Sequence, residues 1–187
     1  MDLHATAPQT VGPYFQLGLG WCYCANLADA GATGEQVEIR GRVFDGTGAP
    51  VSDALLEVWH ADPEGRYPHP EDPRSAAVRE GFQGFGRIPT AADGGFHFRT
   101  VKPGRVPGPH GELQAPHLVI QIFMRGLLRH ACTRLYFPDD PANADDAVLQ
   151  LVPAMRRGTL IARKVAANIL EWNVHMQGEE ETVFFEY

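Results

Sequence analysis

The chain has 187 residues, of which 44% are hydrophobic and 21% charged, with a formal net charge of −7. That length suits one domain with a full core. The acidic balance leaves only short basic stretches, Met155-Arg156-Arg157-Gly158 and Arg163-Lys164, which excludes the clustered basic face of a nucleic-acid binder. No window approaches the roughly 18 apolar residues of a membrane helix. The first residues, Met1 to Ala5, lack a basic region followed by an apolar run, so a cytoplasmic location is expected. The 3 cysteines are an odd number, which argues against a disulfide framework and for a reducing compartment.

In chain order, residues 1–36 carry Pro8, Gly12, Pro13 and Gly18 and read as an extended arm. Such an arm is ordered by packing on another body. From residue 37 the pattern turns to β. Val37, Ile39, Gly41 and Val43 alternate with Glu38, Arg40 and Arg42, the period-two signature of a half-buried strand. Asp45 to Gly48 is a turn, and 54–59 and 95–100 are further strands. Leu118 to Met124 is almost continuously apolar, as in a strand covered on both faces. Segments 131–137, 159–165, 169–176 and 182–187 complete the set. One short helix is expected, with Asn143 capping Ala144 to Leu151 and Pro153 ending it.

Many short strands between Gly/Pro turns predict an all-β fold, a β-sandwich over 37–187 with an extended N-terminal arm. Two long connections, 61–94 and 101–116, break the strand rhythm, and loops that long in a compact domain are commonly functional. His60, His69, His110 and His130 fall in polar loops or strand ends and are expected at the surface, while Trp59 and Trp172 are expected to anchor a core or interface.

Several segments carry a resemblance. Glu57-Val58-Trp59-His60-Ala61-Asp62-Pro63-Glu64-Gly65-Arg66-Tyr67 is similar to a signature stretch of the intradiol ring-cleavage dioxygenases. So are Phe85-Gly86-Arg87, Thr100 to Gly104, Ala115-Pro116-His117 and Thr133 to Phe137, in the same order and with similar spacing. The two ends, Gln9 to Phe15 and Gln177 to Phe185, resemble the alpha-type subunit of two-chain members that cleave 3,4-dihydroxybenzoate. That resemblance implies an O2-dependent reaction at iron(III), held in catalytic chains by two tyrosines and two histidines. Phenolate is a hard anionic donor that stabilises the trivalent metal, and imidazole completes the set.

By position, the first tyrosine matches Tyr67 and the first histidine His117. The second tyrosine falls near Val106, in a stretch, 101–116, without a tyrosine. The second histidine falls at Val119, and an arginine that precedes the histidines in catalytic chains falls at Gln114. The resemblance therefore implies no metal site in this chain, only a remnant in Tyr67 and His117, with Fe(III) bound by a homologous beta subunit. It further implies that Thr10, Gly12, Pro13 and Tyr14, together with Arg125, wall the partner's substrate pocket in an αβ oligomer. Gly-Pro offers a small rigid surface to an aromatic ring, and the planar fork of arginine matches a carboxylate. The alternative reading is a non-enzymatic β-sandwich binding module, because fold does not set function.

Overall fold

The structure, a computed structural model, describes residues 6–12 and 14–186. It is a β-sandwich, as the alternation predicts. The strands are β1 (Gln36–Phe44), β2 (Leu55–Trp59), β3 (Phe85–Pro89), β4 (Gly95–Val101), β5 (Val106–Pro107), β6 (Leu113–Gln114), β7 (His117–Phe123), β8 (Ala131–Tyr136), β9 (Arg163–Ala166), β10 (Ile169–Glu171) and β11 (Val174–His175). In one sheet β1 pairs along its length with antiparallel β4, and on its other edge with parallel β10 and then β11; β9 closes that side. The other sheet runs β3-β2-β7-β8, antiparallel throughout. The small β5-β6 ribbon stands apart.

The two sheets face each other across one core. Ile39, Val43, Phe96 and Phe98 come from the first sheet, and Leu56, Val58, Leu118, Ile120, Ile122 and Leu135 from the second. Successive strand residues point to opposite faces, so burying these sends Glu57, Trp59, His117, Val119, Gln121 and Arg134 to the far face of the second sheet. A smaller cluster of Ala115, Tyr136, Leu149, Val152 and Leu160 covers one end of that face.

Several boundaries differ from the sequence reading. Within 61–94 there is an unforeseen strand, β3, whose Gly86 interrupts the apolar pattern because Leu27 packs where a side chain would stand. Residues 154–160 wind as a 3-10 helix, and within 182–186 only an isolated bridge, Cys132 to Phe185, forms. There are two short α-helices among the described residues, α1 (Tyr14–Leu17) and α2 (Ala147–Leu151). The cap of α2 is Asp146, whose Oδ1 accepts from the Leu149 amide, and not Asn143, whose side chain instead donates to the Phe137 carbonyl. The N-terminal segment is only partly an arm. Bridges from Cys24, Asn26 and Ala28 stitch it to this chain's own strands and loops, and Leu27 is fully buried. No helix among the described residues is long and apolar enough to cross a membrane.

Candidate functional site

Tyr67 and His117, the two residues that the resemblance matches to ligands, are positioned by loop chemistry around the far face of the second sheet. After β2, Asp62 accepts from the amides of Glu64 and Arg66 at 3.0 and 2.8 Å and from Arg66 Nε at 2.8 Å. The turn needs Gly65, which has φ +73° and whose Cβ, if present, would lie 2.1 Å from the Arg105 carbonyl oxygen. Asp72 then accepts from the Tyr67 amide at 2.9 Å. These turns lay the Tyr67 ring on Trp59, with centroids 5.6 Å apart and planes 8° from parallel. Burial raises the Tyr67 phenol above its ordinary pKa, against the opposing pull of the Arg134 cation.

His117 is buried, and its Nδ1 donates to the Ala115 carbonyl at 2.7 Å. Burial first, and the Arg134 charge second, push its pKa down to about 4. Strand register pairs Trp59 with Val119, Val119 with Arg134, and His117 with Tyr136, so all five side chains share one face. Arg134 is 8% exposed. Its Nη1 donates to Gln114 Oε1 at 2.6 Å and lies 3.5 Å from the Tyr136 hydroxyl. That hydroxyl donates to Asp146 Oδ1 at 3.0 Å, and Asp146 Oδ2 accepts from the Ala115 amide at 2.7 Å. Burial is the leading cause of an upward shift of the Tyr136 phenol.

Iron does not fit these residues. Valine at 119 has no lone pair, and a guanidinium stands directly across the strand pair from it. Among the described residues, no three His, Cys, Asp or Glu side chains gather closely enough to hold a metal ion. The sequence reading overlooked Arg134, although the signal was present: an arginine in the apolar run 131–137 must be satisfied by something. It also misplaced His60, which is 1% exposed, not solvent-facing. The His60 Nδ1 donates to the Ala61 carbonyl at 2.8 Å, so its Nε2 accepts from the Thr100 hydroxyl at 2.7 Å.

The other predicted residues converge elsewhere, at one end of the second sheet. Thr10 Oγ1 accepts from the Gly126 amide at 3.2 Å and from the Gly12 amide at 3.3 Å. Gly12 has φ +62° with open space around it, and Tyr14 is 78% exposed at the start of α1. Pro13 lies outside the described residues. Two anchors fasten the segment. Phe15 stacks on Phe123 at 4.5 Å, beneath the Arg87 guanidinium, and the Gln16 amide donates to the Ser52 and Thr90 carbonyls. Arg87 is itself held by Glu57, its register partner on β2, through Nε at 2.8 Å. Arg125, next to Gly126, pairs through Nε with Asp53 Oδ2 at 3.0 Å. Its side chain is 67% exposed while that of Asp53 is 11% exposed, so an inner carboxylate holds an outward-facing cation. Thr10 thus ties the Gly12 turn to the exposed Arg125-Gly126 turn, with Tyr14 exposed nearby in sequence, and this platform is distinct in its residues from Tyr67 and His117.

Comparison with known proteins decides the family. A family model described as "Dioxygenase" matches residues 23–178. The chain is 44% identical to a protocatechuate 3,4-dioxygenase alpha chain from Burkholderia cepacia, over 98% of both chains. The chain belongs to the protocatechuate 3,4-dioxygenase alpha-chain family, within the intradiol dioxygenases. A beta chain from Burkholderia cepacia is also related, 39% identical over 70% of this chain and 56% of its own length. Among solved structures, the dioxygenase domain of a dioxygenase carbohydrate-binding protein fusion from Streptomyces sp. SirexAA-E superposes with a TM-score of 0.60 at 28% identity, covering 82% of this chain and 85% of that one. Membership of this family accounts for the motifs. The Glu57 and Arg87 segments supply an inter-strand ion pair, the Gly65 segment supplies the turn that presents Tyr67, and at Gly104 a Cβ would lie only 2.3 Å from the Pro63 carbonyl oxygen, so only glycine fits that close backbone approach.

Proposed function

We propose that this chain is the iron-free subunit of a protocatechuate 3,4-dioxygenase, and that it walls an active site whose Fe(III) is held by a homologous beta subunit. The reaction is intradiol cleavage of 3,4-dihydroxybenzoate by O2 to 3-carboxy-cis,cis-muconate, in the cytoplasm. The observation that carries the reading is the platform itself. Two distant parts of the chain, Thr10 and the Arg125-Gly126 turn, meet at one exposed place through the Thr10–Gly126 hydrogen bond. A free-standing binding module gives no reason for that meeting in a chain whose ligand positions cannot hold metal.

The platform's chemistry suits an aromatic acid at a subunit boundary. The Gly12 turn offers backbone without a side chain, Tyr14 offers a ring, and Arg125 offers a guanidinium whose Nε is already engaged. The two outer nitrogens of that fork are the ones that match a carboxylate. In the pair of subunits, this chain binds and orients the acid and excludes water, while the metal supplied by the partner activates the diol toward O2.

The test is co-expression with a beta chain carrying all four ligands. The pair is active and the isolated chain is neither active nor coloured by a tyrosinate–iron band. Activity or such a band in the isolated chain overturns the proposal.

A further inference from the structure

We propose that Arg134 is a built-in cation that has taken over the place of the metal in the remnant pocket, so that the pocket is closed to metal by charge as well as by the loss of ligands. The inference stands on this chain's geometry and is independent of which subunit holds iron.

Three observations carry it. First, strand register sets Arg134 directly opposite Val119 on the same face as His117 and Tyr136, with Trp59 and its stacked partner Tyr67 on the next strand. A cation at that position faces the same phenol and imidazole groups that a metal would. Its field reaches them, since it acts on Tyr67, His117 and Tyr136 alike.

Second, the guanidinium is part of a circuit, a continuous run of polar contacts. Gln114 Oε1 accepts from Arg134, the Tyr136 hydroxyl beside it donates to Asp146, Asp146 accepts from the Ala115 amide, and the Ala115 carbonyl accepts from His117. Asp146 is 0% exposed and also caps α2, so the circuit ties β6, β7, β8 and that helix together around one buried positive charge. A buried charge needs hydrogen bonds and nearby opposite charge, and here Gln114 Oε1 accepts from the guanidinium while the Asp146 carboxylate stands beyond the Tyr136 hydroxyl.

Third, the residue at 114 fits the role. The resemblance places an arginine there in catalytic chains, and an arginine has no acceptor to offer. Glutamine presents its carbonyl oxygen to Arg134 at 2.6 Å. The neutral residue at 114 and the cation at 134 are therefore one coupled arrangement, not two independent losses.

Restoring a ligand at 119 alone then leaves a guanidinium beside the incoming metal ion, and like charges in a buried pocket repel strongly. The experiment uses the full chain in three forms: Val119→His, Val119→His with Arg134→Gln, and Val119→His with Arg134→Lys. Zinc is titrated by calorimetry, with circular dichroism confirming the fold. Arg134→Met replaces Arg134→Gln if the latter loses its spectrum. Zinc is the probe because three donors, the new imidazole with His117 and Tyr67, suffice for it.

The expected result is no saturable binding to the single variant or to the lysine double variant. The neutral double variant binds tighter by a factor on the order of 100, the scale of a like charge removed from a buried site. Binding of zinc by Val119→His alone within threefold of the neutral double variant overturns the proposal. So does an absence of binding in every variant, which would mean that donors and not charge keep metal out.

Discussion

Lowering the pH should destabilise this chain through His60. The ring is 1% exposed, sits edge-on to Phe82 at 5.2 Å, and uses both nitrogens as a neutral imidazole. Burial pushes its pKa from 6.5 down to about 4. A depressed histidine is neutral when folded, so as pH falls the unfolded chain takes up the proton first. Stability is therefore fully present above pH 6.5 and is lost as pH falls toward 4. A gap of about 2.5 units at about 1.4 kcal/mol each gives a loss of about 3 kcal/mol across that window. Against a typical total of roughly 5–15 kcal/mol, this is a large share.

The assay is urea unfolding of the full chain at pH 7.5, 6.5, 5.5 and 4.5, with the same series for His60→Gln. The variant is less stable throughout because it loses hydrogen bonds. Its stability should nonetheless fall less steeply with acid, by up to about 1.4 kcal/mol per pH unit between the two pKa values. His117, pushed down to about 4 by burial and by Arg134, keeps part of the slope in both proteins. Parallel pH profiles for wild type and variant would refute the reasoning, as would a nuclear magnetic resonance titration of His60 near pH 6.5.

The platform makes further predictions in the assembled enzyme. Arg125→Ala should raise KM for 3,4-dihydroxybenzoate by about 10- to 100-fold, the worth of a charged hydrogen bond, with a much smaller effect on catechol; equal effects on both substrates would make Arg125 structural. Asp53→Ala should raise the same KM by only about two- to fivefold, since the ion pair it removes is largely exposed on the arginine side. Gly65→Ala should cost about 2 kcal/mol or more in urea unfolding, because a left-handed turn is combined with a carbonyl 2.1 Å from the new atom. Gly48→Ala, with φ +79° and open space, is the control and should cost only about 1 kcal/mol. Iron analysis of the isolated chain should find far less than one atom per chain, and stoichiometric iron would contradict the misfit at Val119 and Arg134.

Much of the fold was legible because a half-buried strand writes its orientation into alternate residues. Val37, Ile39 and Val43 foretold β1, and the apolar run from Leu118 foretold β7. β3 was not legible, because Gly86 stands where the pattern wants an apolar side chain, and the reason, Leu27 packing over it, comes from residues far away in the chain. The helix cap was misassigned to Asn143 because Asp140, Asn143 and Asp146 are all suitable cap residues by type, and only the packing of Leu149 selects the last.

The same division holds for the site. Sequence alone determined that the metal ligands are incomplete, because a valine at 119 lacks a donor in any conformation. It also marked Thr10, Gly12, Tyr14 and Arg125 as candidates through resemblance, without showing that they meet. Tertiary structure brought Thr10 onto the turn that carries Arg125, through one hydrogen bond between residues 10 and 126. It also decided what became of the empty ligand position, because the partner of a buried arginine is set by strand register and by a helix cap. Residue identity states which groups are available, while the neutralisation of a buried charge depends on distances that only the folded chain creates.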